Sequence, residues 1–384
     1  MSDTGAEPDG GAGPLADLRV LDCATVVAGP GAARHLADFG ADVIKIERPD
    51  GVGDGTRTLG WIDPTDDVTL WWKLIGRNKR TIVLDLKDEV DRGHFLRLVK
   101  TADVLIENFR PGTLERLGLG PDVLLAANPR LVVTRVTGFG QDGPYAGRVG
   151  FATLAEAMSG FAGLNGDADG PPLLPPVALT DEITALVAAF ATMVAVHSGR
   201  GQVADVNLLE SMLQIMGPLP SAAARLGYDQ PRLGSGIPYS VPRGTFRTSD
   251  GQWVAVSTSS EPVARRVMGL VGLGDDERLR TSRGRVEHRA MVDDAVAAFV
   301  AARTADEGIA AFVAADAAIA PVMKMTDIVE DPHVVERGIL VEVEGLRMQG
   351  PVARLSATPG AVKWLGRPLG ADTRAVLAEL DQDG

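Results

Sequence analysis

The segment LRVLDCATVVAGPGAARHLADFGADVIKIE, residues 18–47, decides the fold class of this chain. A short apolar strand over 18–24 ends in a turn of Ala, Gly and Pro at 28–31. A helix over 32–40 and a second strand over 41–47 come next. Two strands joined by a helix form a βαβ unit, whose strands lie parallel in one sheet. The segment therefore predicts an α/β protein.

The same alternation of strand and helix continues towards the middle of the chain. Further strands are predicted at 81–86, 103–109 and 130–140, and an amphipathic helix is predicted at 89–102. Repeated βα units of this kind predict a doubly wound domain with one parallel sheet.

The pattern changes in the second half of the chain, which predicts a smaller α+β domain. A hairpin is indicated by the turn residues 249–251, and two helical stretches follow it. The C-terminal stretch over 338–360 is predicted to be strand-like and to be followed by a helix. The predicted organisation is a disordered tail over 1–14, a large α/β domain over 15–225, a small α+β domain over 226–330, and a C-terminal segment over 331–384 that returns to the large domain.

Composition and charge exclude several classes of function. The net charge is −13 and no long basic run occurs, which argues against nucleic acid or an anionic membrane as a partner. A single cysteine, Cys23, and five scattered histidines leave little for a disulfide or a metal site, so we expect no metal. The apolar stretch after Asp181 is shorter than the ~20 residues of a membrane span. We expect a soluble cytoplasmic protein.

The first βα turn allows a dinucleotide-binding interpretation. Gly29 and Gly31 lie in the turn, and Glu47 ends the second strand, where a ribose-binding acid would stand. However, the third glycine position holds Arg34, and Pro30 removes an N–H that would face a pyrophosphate. A tight strand-to-helix turn explains the same small residues, so we do not favour NAD binding.

A carboxylate opens an apolar helix in PPVALTDEITAL, residues 175–186. One interpretation is capping, with Thr180 as the N-cap and Asp181 in a first turn that favours acidic side chains. The other interpretation is that Asp181 is a nucleophile. The helix pattern alone does not distinguish the two.

Several ordered segments resemble the family III CoA transferases, a family that includes formyl-CoA and carnitine-CoA transferases and the α-methylacyl-CoA racemases. The resemblance extends from Leu15 into the second half of the chain. It implies a Rossmann-like large domain that does not bind NAD, and two chains that form an interlocked homodimer. The segments that carry it are 18–54, NKRTIVLDLK (78–87), ADVLIENFRPGTLERLGLG (102–120), NPRLVVTRVTGFGQDGPY (128–145), EAMSGFAGLNG (156–166), HSGRGQVADVNLLES (197–211) and APVMKMTDIVEDPHVVERGIL (320–340).

The resemblance also implies a set of CoA contacts, with CoA and acyl-CoA as substrates and no tightly bound cofactor. Taken singly, each residue has a simpler explanation, since an exposed arginine is usually just solvated and Leu84 or Phe109 would fit a core. Several of them follow predicted strands, and ligands of parallel sheets bind beyond the carboxyl ends of strands. The implied contacts are Val27, Ala28, Arg48, Leu84, Lys87, Asn108, Phe109, Arg110, Arg116, Arg148 and Phe151.

For the reaction itself, the resemblance places Asp181 at the position of the family's nucleophilic aspartate. A carboxylate can relay CoA between two acids through a mixed anhydride and an aspartyl-CoA thioester. We expect the N–H groups of the helix start to lower the pKa of Asp181 and to stabilise an oxyanion. A glycine-containing loop over 232–240 is the candidate lid.

Two departures from the family pattern bear on the reaction. Racemases of the family pair the aspartate with a histidine, but residues 147–160 contain none, so transferase is favoured over racemase. Two alternatives stay open: a racemase or isomerase, and a CoA-binding protein without activity. The second departure is Glu182 beside Asp181, which either raises the pKa of the nucleophile or points to solvent. The five histidines of the chain, all of them outside residues 147–160, are His35, His94, His197, His288 and His333.

Overall fold

A computed structural model describes residues 13–381 of the chain. The tail predicted over 1–14 therefore lies, apart from its last two residues, outside the described residues.

Six parallel strands form the main sheet, in the order β3-β2-β1-β4-β5-β6. This is the strand order of a Rossmann-type sheet, which reverses between β1 and β4. The prediction of an α/β fold with a parallel sheet is confirmed. The strands of the described chain are β1 (Arg19–Asp22), β2 (Asp42–Glu47), β3 (Lys79–Val83), β4 (Val104–Glu107), β5 (Val132–Thr137), β6 (Gln202–Asn207), β7 (Arg243–Arg247), β8 (Trp253–Ser257), β9 (Ile319–Pro321), β10 (Leu340–Val343) and β11 (Leu346–Gln349).

Helices connect the strands and cover both faces of the main sheet. They are α1 (Ala28–Asp38), α2 (Leu70–Ile75), α3 (Glu89–Thr101), α4 (Thr113–Arg116), α5 (Pro121–Ala127), α6 (Ala152–Met158), α7 (Phe161–Leu164), α8 (Leu179–His197), α9 (Leu208–Ile215), α10 (Leu219–Leu226), α11 (Glu261–Leu270), α12 (Ser282–Glu287), α13 (Arg289–Ala301), α14 (Ala305–Ala314), α15 (Met325–Ile328), α16 (Pro332–Glu336) and α17 (Thr373–Leu380).

The core of the main sheet explains why its strands are almost continuously apolar. On one face, strand residues such as Leu21 and Leu105 pack against α3, α5 and α17 in a fully buried cluster. On the other face, α1 lies on β1, β2 and β4, and α8 lies on β5 and β6. Strands that are covered on both sides need apolar residues at successive positions rather than at alternate ones.

Packing divides the described chain into two compact units. The first contains the main sheet and is formed by the chain up to Ser159, by Pro175–Gly217 and by the residues from Val335 onward. The second is formed by Gly160–Leu174 and Pro218–Val334. The sequence prediction of an uninterrupted segment over 15–225 does not include the excursion at Gly160–Leu174, which no change of composition marks.

The second unit has an antiparallel sheet in the order β7-β8-β9, packed against helices. The hairpin predicted around residues 249–251 joins β7 to β8. The helices predicted after it are α13 and α14, and their buried residues, such as Val296 and Phe312, enter the same core as Val254 of β8.

Two local predictions are wrong. The turn predicted at 28–31 is the first turn of α1, which begins at Ala28, so the connection after β1 consists of Cys23–Val27. Pro30 fits there because the first turn of a helix does not use its N–H groups. The C-terminal stretch predicted to be strand-like contains only the short hairpin β10–β11.

Helix α8 begins at Leu179, two residues before Asp181, and ends at His197. It has 19 residues and is the only helix within residues 13–381 that is long and apolar enough, by length and composition, to cross a membrane. Core helices of soluble proteins meet the same criteria, and α8 packs against α1, α9 and two strands of the main sheet.

Candidate active site

A cavity of about 570 Å³ opens at the carboxyl ends of β1, β4 and β5, where a parallel sheet binds its ligands. Its walls are largely apolar, and Asp181 is its only acidic lining residue among the residues described. We call it the Asp181 cavity. It is lined by Thr25, Val26, Val27, Ala28, Asn108, Phe109, Arg110, Pro111, Val136, Thr137, Gly138, Phe139, Ala146, Arg148, Val149, Gly150, Phe151, Ala152, Thr153, Asp181 and Leu208.

A second cavity, of about 690 Å³, lies at the carboxyl ends of β2 and β3. We call it the Arg48 cavity, since it is lined by Arg48 together with Leu84 and Lys87. Thr25, Val26 and Phe109 line both cavities, so the two cavities adjoin at the edge of the sheet, and we call the pair the groove.

The groove brings together nearly all of the residues predicted to form the site. The Asp181 cavity contains Val27, Ala28, Asn108, Phe109, Arg110, Arg148 and Phe151. The exception is Arg116, which lies on α4 and donates a hydrogen bond to Thr113, a residue of the Arg48 cavity lining, at 2.8 Å. Leu84 is fully buried in the core beneath the groove, and Phe109 packs against the same core.

The loop between β1 and α1 is held in a strained conformation where the two cavities meet. Val26 has a φ of 70°, which is unusual for a β-branched residue. Its backbone N–H donates to Asp54 Oδ1 at 3.2 Å. The Asn108 side chain binds both backbone groups of Thr25, so its amide supports the loop. Such strain persists where surrounding contacts impose it, and it is common at functional sites.

Asp181 is the third residue of α8, which begins at Leu179. The prediction that Thr180 is the N-cap is wrong, because the N-cap position is Ala178 and makes no side-chain hydrogen bond. The Thr180 hydroxyl instead donates to Glu156 Oε1 at 2.9 Å. The capping interpretation of this helix start therefore lacks its hydrogen bond from the N-cap side chain.

The expected lowering of the Asp181 pKa is also wrong. Burial, together with the negative charges of Glu156 and Glu182, raises the pKa of Asp181 from 3.8 to about 6. No hydrogen bond from the described residues to the Asp181 carboxylate offsets this effect. The carboxylate is thus ionised at neutral pH and more basic than an ordinary aspartate, which makes it a better nucleophile.

Glu182 is partly exposed, and its side chain contacts α1. Its carboxylate pairs with the buried Arg34 guanidinium at 3.1 Å. Arg34 occupies the third glycine position of a dinucleotide fingerprint. Glu47, the candidate ribose-binding acid, is bound by Arg57 at 2.7 Å. Both residues that bear on NAD binding are therefore engaged in ion pairs within the protein.

Two cations of the Asp181 cavity have no acidic partner within residues 13–381. Arg148 lies over the ring of Tyr145, with its guanidinium carbon 3.9 Å from the ring centroid. Tyr145 in turn packs edge-on against Phe139 of the cavity wall. Arg110 lines the same cavity and makes no ion pair in the described chain. Arg48, in the neighbouring cavity, pairs with the exposed Asp50 at 3.1 Å.

The described lining of the Asp181 cavity contains no histidine. The nearest along α1 is His35, which is buried beside Arg34. Burial and the neighbouring Arg34 charge lower the pKa of His35 to about 3. Within the described chain, no group of three or more His, Cys, Asp or Glu side chains has the arrangement of a metal site.

The loop over 232–240, the candidate lid, is tied to its own unit. Arg232 donates hydrogen bonds to backbone carbonyls, among them that of Gly170 at 2.6 Å. The carbonyl of Ile237 accepts from Arg289, also at 2.6 Å. Its role as a lid stays a prediction.

Two residues of the site were missed by the sequence analysis. Glu156 is 3% exposed and is the only charged residue in the segment FATLAEAMSG, 151–160, so an isolated acid in an apolar helix was the available signal. Tyr145, which holds Arg148, carries no comparable signal, because its role depends on a ring contact made in three dimensions.

Comparisons with known proteins point in one direction. Residues 15–373 match the sequence profile of CoA-transferase family III. The chain is 37% identical to succinyl-CoA–D-citramalate CoA-transferase of Chloroflexus aurantiacus, covering 96% of this chain and 94% of that protein. It is 34% identical to succinate–glutarate CoA-transferase of Agrobacterium fabrum, covering 96% of each. The fold matches a CAIB/BAIF family protein from Brucella suis with a TM-score of 0.84 and 30% identity, covering 97% of this chain and 100% of that one.

Proposed function

This chain belongs to CoA-transferase family III, and we propose that it transfers CoA from an acyl-CoA to a carboxylic acid with Asp181 as the covalent nucleophile. The observation that carries this proposal is the position of Asp181. It is the one acid of the described cavity lining, it lies at the ligand-binding edge of the sheet, and it has an unusually basic carboxylate.

The proposed reaction proceeds through two covalent states of Asp181. Its carboxylate oxygen attacks the thioester carbonyl of the donor, the C–S bond breaks, and CoA leaves as a thiolate. The thiolate then attacks the Asp181 carbonyl of the mixed anhydride and releases the donor acid. The acceptor carboxylate attacks the aspartyl-CoA thioester, and the freed thiolate attacks the new anhydride to give the product and to regenerate Asp181. No net proton transfer is needed.

We propose that CoA lies along the groove formed by the Arg48 cavity and the Asp181 cavity. Its phosphates and adenosine would occupy the Arg48 cavity, near Arg48 and Lys87, with Arg116 beside it on α4. Its pantetheine arm would pass the Val26 loop into the apolar Asp181 cavity, along Val27 and Ala28. This orientation of CoA is supported by the cavity linings, since the apolar walls and the proposed nucleophile lie together in the Asp181 cavity.

The two acids are proposed to include a dicarboxylic acid. The relative from Chloroflexus aurantiacus is named for succinyl-CoA and D-citramalate, and the relative from Agrobacterium fabrum is named for succinate and glutarate. Each of these acids has a second carboxylate. In this chain, Arg110 and Arg148 offer cations without acidic partners in the cavity that contains the nucleophile.

A soluble, cytoplasmic homodimer is proposed as the working form. The support is the face of α8 that carries Leu186, Phe190 and Val194, whose side chains are 44%, 72% and 54% exposed in the single chain. A stripe of exposed large apolar residues along a long helix marks a surface for association.

The covalent role of Asp181 is tested by trapping. The protein is incubated with a panel of acyl-CoA donors, treated with hydroxylamine or borohydride, digested and analysed by mass spectrometry. A modification on the peptide that contains Asp181 is expected, and Asp181→Asn should show neither the modification nor CoA transfer. Absence of any adduct across a broad panel of donors, including succinyl-CoA, would refute the covalent role.

The same preparation separates the transferase from its two alternatives. A racemase or isomerase would exchange the α-proton of an acyl-CoA with deuterated water in the absence of an acceptor acid. The described cavity lining has no histidine to serve as a second base, which supports transfer. A protein that only binds CoA would be stabilised by CoA, and this stabilisation by CoA would be unchanged in Asp181→Ala.

A further inference from the structure

Glu156 is a buried carboxylate with no cationic partner within residues 13–381. It lies on α6, which packs against α8, and only 3% of its surface is exposed. Within residues 13–381, its side chain accepts one hydrogen bond, from the Thr180 hydroxyl to Oε1 at 2.9 Å. Thr180 immediately precedes Asp181, so this contact holds a carboxylate close to the proposed nucleophile.

Buried acids elsewhere in the same unit are compensated. Asp22 accepts from Lys79 at 2.8 Å, and Glu107 accepts from Arg135 at 2.6 Å. A buried charge without such a partner destabilises the folded protein. The cost at Glu156 therefore calls for an explanation in the chemistry of the site.

We propose that Glu156 is a positioning residue of the transfer reaction, which acts on Asp181 by placing an uncompensated negative charge beside it. This inference rests on the proposed function, in which Asp181 is acylated. Ionised Asp181 is destabilised by the neighbouring charge, whereas the anhydride and the CoA thioester of Asp181 are neutral. Forming either covalent state relieves the repulsion, so Glu156 favours the covalent intermediates over the free enzyme.

The other charged groups around α8 do not take this role. From α1, Arg34 is neutralised by Glu182, and His35 is uncharged at neutral pH because burial and Arg34 lower its pKa to about 3. Glu182 adds a smaller repulsion to Asp181 than Glu156 does.

From the remaining elements that pack on α8, the charges are also engaged or do not act on Asp181. Arg135 of β5 is paired with Glu107 and Glu115. Asp205 of β6 accepts the backbone N–H of Gln141. Glu210 lies in the first turn of α9 and does not contribute to the raised pKa of Asp181.

The test compares the pH dependence of kcat/KM for wild type and Glu156→Gln with the same acyl-CoA and acceptor acid. Glutamine keeps an oxygen that accepts from Thr180 but removes the charge. In wild type, kcat/KM should fall as the pH drops through about 6, where Asp181 becomes protonated. We call this fall the acid limb of the pH profile. In Glu156→Gln we expect the acid limb to move down by about 0.5–1 pH unit, and kcat/KM at pH 7.5 to fall about 3- to 30-fold.

Three further measurements distinguish a charge effect from a structural defect. Glu156→Met, a second neutral variant that suits a buried position, should show the same shift. Glu156→Asp keeps the charge and should recover a limb close to that of wild type. Thr180→Val removes the hydrogen bond but keeps the charge, so its limb should not move down. The fraction of Asp181 found as CoA thioester at steady state should fall in both neutral variants.

An acid limb that does not move in either neutral variant, with Asp181 still labelled, overturns this inference and leaves the proposed function intact. A uniform loss of kcat/KM at all pH values also overturns it, because it indicates a structural role. If wild type itself gives no adduct on Asp181, it is the proposed function that fails.

Discussion

The chemistry proposed for this enzyme is set by the surroundings of one carboxylate. Asp181 is placed in a first helical turn, where an acid is normally stabilised, yet burial and two neighbouring acids raise its pKa to about 6. The local effect of the helix start is thus outweighed by desolvation and like charges. The result is a carboxylate that is ionised at neutral pH and costly to keep ionised.

Replacing Asp181 by Asn should therefore stabilise the folded protein at neutral pH while it removes activity. A folded-state pKa above the unfolded value of 3.8 means that the ionised group destabilises the fold above about pH 6 and has no such effect below pH 4. We expect the free energy of unfolding of Asp181→Asn to exceed that of wild type by about 1–3 kcal/mol at pH 7.5.

Urea denaturation at pH 7.5 and at pH 4 measures this difference, which should shrink at the lower pH. Asp122→Asn serves as the control, since Asp122 is an exposed acid in the first turn of α5. A stabilisation of Asp181→Asn that grows towards low pH would contradict the expectation.

Arg148 should select acids that carry a second carboxylate. Its guanidinium is held by Tyr145 in the Asp181 cavity and has no acidic partner in the described chain. With Arg148→Gln, kcat/KM for a dicarboxylic acceptor such as glutarate should fall about 10- to 100-fold relative to that for a monocarboxylic acceptor such as butyrate, since a charge-assisted hydrogen bond is lost.

Arg110→Gln is the matched comparison for Arg148. If Arg110 binds an anionic group of CoA, Arg110→Gln should lower kcat/KM for both acceptors equally and raise KM for the acyl-CoA. An equal loss for both acceptors in Arg148→Gln would instead assign Arg148 to CoA.

At the scale of elements, the contact between α1 and α8 fixes the position of the proposed nucleophile. The two helices approach so closely that a Cβ built on Gly31 would lie 2.9 Å from the Cβ of Ala185. Ala185 is one turn beyond Asp181 on α8, and the Arg34–Glu182 ion pair joins the same two helices. Gly31 in the first turn of α1 allows this close helix packing, which a dinucleotide-binding motif does not explain.

Gly31→Ala should destabilise the protein and displace α8. The added methyl overpacks a buried contact, for which a cost of about 1–3 kcal/mol is typical. Gly93→Ala in α3 is the control, because a Cβ there meets nothing within 4 Å and alanine favours a helix. Thermal unfolding should show a lower Tm for Gly31→Ala and an equal or higher Tm for Gly93→Ala. Equal Tm values for Gly31→Ala and wild type would contradict the close contact.

At the scale of the whole molecule, the apolar face of α8 is exposed in the single chain. A second copy of the chain is proposed to cover this face. Large apolar side chains such as that of Phe190, which is 72% exposed, are unfavourable in contact with water. The proposed active site lies at the start of this same helix, so assembly and catalysis should depend on each other.

Phe190→Lys should shift the protein from dimer to monomer and reduce CoA transfer. Sedimentation velocity at several concentrations measures the oligomeric state, and a coupled assay measures transfer. Val90→Lys is the control. Val90 lies on α3, apart from the α8 face, and is likewise exposed, at 66%. A monomeric wild type, or a dimeric Phe190→Lys variant, would refute the proposed interface.

Much of the sheet and several site residues were predictable because their signals are local. Alternating strands and helices between residues 18 and 140 identify the βα units, and each strand end predicts where cavity-lining residues such as Arg48 and Arg110 collect. The excursion of Gly160–Leu174 into the second unit was not predictable, because it depends on packing with residues far along the chain.

By itself, the sequence determined the α/β class, the order of the βα units along the chain and the family, and it pointed to Asp181 as the candidate nucleophile. These depend on periodicity and on motifs within short segments. Only the tertiary structure decided that Thr180 binds Glu156, that Glu182 pairs with Arg34, and that the pKa of Asp181 is raised. Glu182 and Arg34 are 148 positions apart in the chain. Burial and charge act through space, so the strength of the nucleophile is a property of the folded chain.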